Sequence, residues 1–370
     1  MKKTIIKKRI IFSSYDDVKN PEYGGGGAVA IHEIAKRLTD RFEIIVITGS
    51  YKGSSNEKID DVAYKRIKTH YLGAKIGQLI FHFFLPFYSV CLKYDLWIES
   101  FTPPFSTSFL PIFAGKPVIG LVHMLSGEDM SRKYNIPFYL IEKVGLKAYD
   151  YFIVLNQESK DEIKKINKNA EIQIISNGVY MPEIRKTHCP EHILFLGRIE
   201  INQKGLDLLL KAFSIVRDKI NYKLAIAGSG NNNELKKLKK IIESYDLMGK
   251  INLLGKVGGY EKEDAFRKSA FVVIPSRFET LSLVALEAMS FGLPVISFEI
   301  EGMKWISANC CIKAKPFSEI DLAQKMLDLS QDVQKREIMG DNGRQFALQF
   351  EWGKKAIEYE NYILNILKND

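Results

Sequence analysis

Residues 275–296 read PSRFETLSLVALEAMSFGLPVI, and the way this stretch divides decides the fold. It is entered from a short apolar run, FVVI at 271–274, which reads as a buried strand. A loop follows, and from Ser282 onward Leu283, Leu286 and Met289 recur at the spacing of one helical face. A second β-branched run begins at Pro294. Strand, loop, helix and strand in this order form one unit of an α/β sheet. Glu279 falls at the mouth of the first strand, and Glu287, eight positions later, lies inside the helix.

The same alternation runs outward in both directions. In the first half, strands are predicted at 9–14, 42–49, 95–100, 117–123, 150–155 and 173–176, with helices at 26–39, 136–149 and 158–166. It pauses at 177–192, where NGVYMPEIRKTHCPEH has two prolines and no apolar period and reads as a linker. A second set has strands at 193–197, 223–227, 250–254, 271–274 and 294–298, and helices at 205–217, 234–245, 261–269 and 283–291. A last helix is expected near 352–367, after a turn signal at Asp341-Asn342-Gly343 and a helical run. For 370 residues this means two doubly wound α/β domains in series. Ligands of such sheets sit at the carboxyl ends of the strands, so a central cleft faced by both domains is the expected site.

Composition narrows the function. A hydrophobic fraction of 46% and a charged fraction of 26% are those of a soluble globular protein. The net charge of +9 is uneven, with residues 1–170 holding 25 Lys/Arg against 18 Asp/Glu, or +7. A Lys-rich solvated surface accounts for this, and so does a first half that meets an anionic membrane surface, lipid phosphate or charged glycan. Zinc-ligand spacing, basic heptads and RNP-type aromatics are absent, which argues against a nucleic-acid partner. Cys91, Cys189, Cys310 and Cys311 show no Cys-x-x-Cys spacing, which suits a reducing cytoplasm and argues against disulfides or structural zinc. The opening MKKTIIKKRIIF is basic and then apolar, but Lys7, Lys8 and Arg9 interrupt it and no small-residue cleavage site follows, so a signal peptide is rejected. The longest uncharged stretch, IGQLIFHFFLPFYSVCL at 76–92, is short for a spanning helix and contains Gln78, His82 and Pro86. It is expected to form a buried or proline-kinked helix, with a membrane-docking surface as the alternative.

Several residues could carry chemistry. Gly24 to Gly27 opens the helix predicted at 26–39. Gly25-x-Gly27-x-x-Ala30 formally meets the dinucleotide fingerprint, but about ten residues separate it from the preceding strand, too far for one pyrophosphate to meet both. What remains is a flexible loop whose backbone N–H groups can approach an anionic or hydroxylated ligand. Arg198 closes a strand and Lys204-Gly205 opens the next helix. Two cations flanking one connection can hold a diphosphate near a helix N-terminus, or can be ordinary surface charges. Gly228-Ser229-Gly230 ends the following strand, and turn capping suffices to explain it. For Glu279 and Glu287, a role at the helix dipole competes with accepting hydrogen bonds from sugar and ribose hydroxyls. No two aspartates lie two positions apart, so the D-x-D metal pattern is absent.

Taken together, residues 275–296 with LGRIEINQKGLDLLLKAF, LAIAGSG and INLLGKV resemble, in order and spacing, glycosyltransferase family 4, the group 1 retaining enzymes with an E-x7-E motif. SNGV at 176–179 and FEW at 350–352 fit the family's linker entry and final helix; the first half resembles it more loosely, through Gly24 to Gly27 and His123. The resemblance implies the GT-B fold, an α/β architecture of two Rossmann-like doubly wound domains facing a central cleft. Its acceptor domain would be 1–178 and its nucleotide-sugar domain 179–350, with a helix at 351–370 crossing back to the first. His123, Arg198, Lys204 and Glu279 would be the catalytic residues. Arg198 and Lys204 would bind the donor diphosphate, Glu279 the transferred sugar and Glu287 the ribose. Gly228, Thr280, Leu281, Ser282 and Leu283 would border the donor, and Gly255, Lys256 and Val257 would lie beside its base. Gly25, Gly26 and Gly27 would lie near diphosphate and acceptor. Two positions depart from the family: Ser282 stands where it often has Gly or Pro, and Trp305 near where it commonly has Glu.

The expected activity is metal-independent, cofactor-free transfer of a hexosyl residue, with retention, from a nucleotide sugar. Resemblance around PSRFE and PVISFE favours a UDP carrier. The expected acceptor is a glycan or lipid-linked glycan in cell-surface polysaccharide or glycolipid synthesis. The expected location is cytoplasmic, peripheral at the inner face of an anionic membrane. Competing readings are a nucleotide-sugar epimerase or phosphorylase-like enzyme on the same fold, a non-catalytic carbohydrate-binding or scaffold protein, and an NAD-dependent oxidoreductase argued from Gly25-x-Gly27-x-x-Ala30 alone.

Overall fold

The computed structural model describes residues 7–21, 23–101, 107–183 and 190–369. Cys189, residues 184–189 of the predicted linker and the first six residues of the basic N-terminal stretch lie outside them. The chain forms two compact units, Met1–Asn177 with Trp352–Asp370, and Gly178–Glu351.

The first unit runs β1 (Arg9–Ser13), α1 (Gly26–Leu38), β2 (Glu43–Gly49), β3 (Glu57–Ile59), β4 (Val62–Ile67), α2 (Gly73–Cys91), β5 (Leu96–Phe101) and β6 (Val118–Val122). It continues through α3 (Gly127–Tyr134), α4 (Phe138–Leu146), β7 (Tyr151–Val154), α5 (Gln157–Ile166) and β8 (Glu171–Ile174). Its eight strands are ordered β3-β4-β2-β1-β5-β6-β7-β8, parallel except for the β3–β4 hairpin. Period-two side-chain alternation sends Ile10 and Phe12 of β1 to one face, with Ile31 and Ile34 of α1, and Ile11 to the other, with Phe81 and Leu85 of α2. Both faces are covered, which is why the strands read as continuous apolar runs.

The second unit runs β9 (His192–Leu196), α6 (Leu206–Val216), β10 (Lys223–Ala227), α7 (Asn232–Ser244), β11 (Ile251–Gly255), α8 (Gly259–Arg267) and β12 (Ser269–Ile274). Then come α9 (Leu283–Ser290), β13 (Val295–Phe298), β14 (Cys311–Ala314), α10 (Glu319–Gln331) and α11 (Val333–Ala347). Its six parallel strands are ordered β11-β10-β9-β12-β13-β14. The chain steps outward from β9 to β10 and β11, then returns to the other side of β9 as β12, so strand order reverses between β9 and β12. The last helix, α12 (Trp352–Asn369), packs Trp352, Tyr359, Ile363 and Ile366 into the core of the first unit beside α1.

Some expectations are corrected. Asp341-Asn342-Gly343 is not a turn but lies within α11. The neighbouring Gly340 explains the glycines there: a Cβ on it would stand 2.1 Å from the carbonyl oxygen of Gly292, so a small residue lets α11 approach the end of α9. The strand expected at 173–176 begins at Glu171, because pairing with Tyr151 of β7, not the local apolar run, sets its start. Residues 76–91 of the uncharged stretch lie in α2 with Pro86 inside the helix, but it is not a buried helix, since only one face packs on the sheet. The β3–β4 hairpin, β14, α3, α10 and α11 were not foreseen. Charged residues interrupt the apolar alternation of 57–67, and Asp60 and Asp61 make the hairpin turn at φ of 46° and 65° without a glycine to announce it.

Because Ile363 is fully buried against α1, Ile363→Ala should cost about 2–5 kcal/mol of stability. Urea denaturation followed by circular dichroism measures this; a loss well under about 1 kcal/mol would show that α12 is not part of the first core.

Candidate functional site

The strand order reverses between β9 and β12, where parallel α/β sheets open to ligands beyond the strands' carboxyl ends. Two loops leave these ends, 197–205 and 275–282. Gly205 caps α6 at φ +64°, and a Cβ on it would stand 1.9 Å from the carbonyl oxygen of Pro275. On the other side a Cβ on Gly302 would stand 1.6 Å from the carbonyl oxygen of Glu279. Only glycine permits both approaches, so residues 275–279 are held between two backbones. Adjacent strand ends are joined by Gly197 N–H donating to Ala227 O at 3.0 Å and Gly228 N–H to Gly255 O at 2.7 Å.

In this frame Lys204 Nζ donates to Glu279 Oε1 at 2.6 Å, and Ser276 Oγ donates to the same oxygen at 2.6 Å. The Lys204 and Glu279 side chains are only 18% and 12% exposed, so salt screens their attraction less than that of a surface pair. Arg277 locks the two loops together. Its guanidinium makes a bidentate bond to Asp207 at 2.8 and 2.7 Å, its Nη1 also donates to Asn202 O at 2.7 Å, and its backbone N–H donates to Gln203 O at 2.9 Å. Sequence reasoning missed Arg277 and Asp207. Their proximity was a usable signal: Asp207 lies three positions after Lys204, and Arg277 two before Glu279.

The other expected donor residues are placed differently. The Arg198 side chain is 69% exposed and turns to Gln203 Oε1 at 3.2 Å and Glu200 Oε2 at 3.5 Å. Glu287 is ion-paired with Lys262 of α8 rather than joined to Lys204. Ser282 is the N-cap of α9, its hydroxyl accepting from Ala285 N–H at 3.4 Å, so this departure from Gly or Pro has a local reason. Thr280, Leu281 and Leu283 flank that cap. Gly255 ends β11 at φ +70°, Lys256 after it is exposed, and Val257 packs against the core. Trp305 lies against Phe346 and Phe350, and its indole N–H donates to Gly302 O at 3.0 Å, bracing the turn that meets Glu279.

In the first unit, Gly25 caps α1, Gly26 begins it, and a Cβ on Gly27 would stand 3.6 Å from His123 Cδ2, so loop and imidazole are neighbours. His123 follows β6, and both ring nitrogens are buried without a hydrogen-bond partner among the described residues. Burial pushes its pKa down to about 4, which leaves the imidazole neutral near pH 7. The loop before Gly24 is anchored by Asp17, whose carboxylate accepts from Lys19 N–H at 2.8 Å, Thr48 Oγ1 at 2.7 Å and Arg66 Nε at 2.8 Å. Neither Asp17 nor Arg66 was foreseen. Among the described residues no three His, Cys, Asp or Glu side chains come together to hold a metal, and no helix is long and apolar enough to cross a membrane.

Residues 180–346 match the family model described as Glycosyl transferases group 1, and residues 24–181 that described as Glycosyltransferase Family 4. An uncharacterized glycosyltransferase of Methanocaldococcus jannaschii is 30% identical over 247 residues, 65% of this chain and 67% of that one. A D-inositol 3-phosphate glycosyltransferase of Paenarthrobacter aurescens is 33% identical over 177 residues, 46% of this chain but only 43% of that one. Among solved structures, sucrose-phosphate synthase from Thermosynechococcus elongatus superposes with a TM-score of 0.83 at 18% identity, covering 98% of this chain and 100% of that one. Anabaena HepE in complex with UDP-glucose superposes at 0.75 with 16% identity, covering 96% and 99%. At these identities the superpositions speak for the fold.

Two outcomes follow from this geometry. Gly302→Ala should destabilise the second unit by about 1–3 kcal/mol, since the backbone at Glu279 must move to admit a methyl group. A variant with the parent's urea midpoint would show that residues 275–279 do not rest on Gly302. The lowered pKa of His123 means that the neutral ring favours the fold. Its contribution is full above the ordinary value of 6.5 and is lost as pH falls through about 4. His123→Gln should therefore flatten the fall in stability over that window, read from urea midpoints at a series of pH values; an unchanged slope would count against the buried, neutral ring.

Proposed function

This chain belongs to the group 1, family 4 glycosyltransferases of the GT-B fold, and from that premise we propose that it transfers a hexosyl residue from a UDP-sugar with retention at the anomeric carbon. The observation that carries the reading is the enclosed Lys204–Glu279 pair at the reversal of strand order in the second unit. Departure of a nucleoside diphosphate develops negative charge, and a fixed ammonium beside a helix N-terminus stabilises such charge. Lys204 is that ammonium, and the residues around Ser282 provide the helix end. Glu279 accepts hydrogen bonds from hydroxyls of the transferred sugar while Lys204 turns toward the phosphates. Arg198, exposed at the rim, is the second cation for the diphosphate, and Glu287 holds the ribose.

The reading is metal-independent because Lys204 supplies the charge that a divalent cation would, in a sequence without a D-x-D pair. A UDP carrier is supported by a fold neighbour, HepE, whose complex contains UDP-glucose. Retention follows a front-face course in this reading, with the acceptor attacking from the leaving-group side and without a covalent intermediate on Glu279. In the first unit, the loop at Gly25, Gly26 and Gly27 with neutral His123 forms the acceptor-binding part. The acceptor is a glycan or lipid-linked glycan, and the +7 charge of residues 1–170 supports one presented at an anionic membrane.

Lys204→Ala and Glu279→Ala should each lower kcat/KM by about a hundredfold or more while the protein stays folded. Transfer is measured with a panel of UDP-, GDP- and ADP-sugars, after a thermal-shift screen for the nucleotide that raises the melting temperature. Folded variants with undiminished transfer would remove these residues from the mechanism. NMR of the product's anomeric centre reads retention separately, and an inverted linkage would exclude the front-face course.

A further inference from the structure

α2 is apolar on its outward face as well as on the face that packs on the sheet. The face it turns to the sheet contains Gln78, His82 and Ser89 beside Phe81 and Leu85, all buried. The outward face presents Ile76, Leu79, Phe83, Phe84, Phe87 and Val90, with Phe83 65% and Val90 72% exposed. The rings of Phe83, Phe84 and Phe87 lie 5.7 to 6.2 Å apart and form one cluster. From Ile76 to Val90 this stripe runs about 21 Å along the helix without a charged side chain. A 3-10 turn at Leu110–Ile112 packs beside α2 and adds exposed Ile112 and Phe113. Large apolar surface of this extent marks a site that something covers.

The charges around it identify the cover. From Lys68 to Lys116 the sequence has four lysines, no arginine and two carboxylates. Glu99 is buried, and Asp95 is taken up by Lys8 Nζ at 2.9 Å and Arg9 N–H at 2.7 Å. Lys68 before the helix, Lys93 after it and Lys116 beyond the 3-10 turn are all exposed. A second copy of this chain would bring like charges together at such a face, whereas an anionic lipid headgroup layer neutralises them. Phenylalanine and aliphatic side chains framed by lysine are the chemistry that enters the headgroup–acyl boundary.

We propose that the outward face of α2, with Ile112 and Phe113, is a surface that docks this chain on an anionic bilayer by shallow insertion. Its purpose, though not its geometry, rests on the reading of a lipid-linked acceptor. The test floats the full chain with phosphatidylcholine vesicles and with vesicles that also contain phosphatidylglycerol. The parent should co-migrate with the second kind at low salt and bind less as salt rises. Phe83→Asp with Phe87→Asp should reduce the bound fraction about tenfold or more, and Phe83→Ser with Phe87→Ser substantially, with the melting temperature retained. Lys93→Glu with Lys116→Glu should abolish the preference for phosphatidylglycerol. No flotation of the parent with anionic vesicles, or equal flotation of the phenylalanine variants, overturns the proposal. So does a dimer in analytical ultracentrifugation that Phe83→Asp with Phe87→Asp dissolves while no vesicle binding occurs. Transfer to a soluble acceptor separates the two readings: if it persists without flotation, only docking fails, and if flotation occurs without transfer, only the enzymatic reading fails.

Discussion

The second unit depends on a steric constraint. Residues 275–279 pass between Gly205 and Gly302 with no room for a side-chain carbon on either. This fixes the carbonyl oxygens of Pro275 and Glu279, and with them the direction in which Glu279 leaves the chain. Interiors at near-crystalline density do not absorb such displacements gradually, so the constraint is all or none. Arg277 adds a tie through Asp207, and Trp305 braces Gly302 from its other side. The Lys204–Glu279 ion pair is thus the side-chain end of a backbone arrangement decided several residues away.

The first unit reaches a comparable rigidity by other means. A buried Asp17–Arg66 pair, with Thr48 and the backbone of Lys19, anchors the loop that leads to the glycines. An ion pair so fully removed from water holds only when its remaining hydrogen bonds are made, and here they are. Beside that loop His123 is kept neutral by burial. A neutral ring can donate one hydrogen bond and accept another, which suits hydroxyl groups better than phosphate. The two units therefore differ in chemistry: the second offers charge, and the first an imidazole with buried ring nitrogens and backbone amides.

Much of the architecture was legible because strand and helix periods are local. β10 and α9 begin where the apolar spacing put them, and the strand–loop–helix order around Glu279 is as read. Legibility failed where a residue serves distant neighbours. Asp341-Asn342-Gly343 carries turn-forming residues inside α11, because a glycine in that helix answers to α9 and not to its own backbone. The β3–β4 hairpin is masked by charges such as Arg66, whose role is set by Asp17, 49 positions away. The run at 76–92 shows the same limit. Its lack of charge was visible, but its polar residues face inward, and nothing local distinguishes that from a buried helix.

The sequence by itself determined the fold class, the family and the candidacy of Lys204, Glu279 and His123, because periodicity and motif spacing are properties of the chain alone. Tertiary structure decided what those residues meet. It joined Lys204 to Glu279 across 75 positions, left Arg198 exposed, paired Glu287 with Lys262 and gave Ser282 a capping role. It also revealed Arg277–Asp207 and the outward apolar face of α2. The physical reason is common to all of these: a side chain's charge, exposure and partner depend on atoms brought near by packing, and one-dimensional spacing does not contain them.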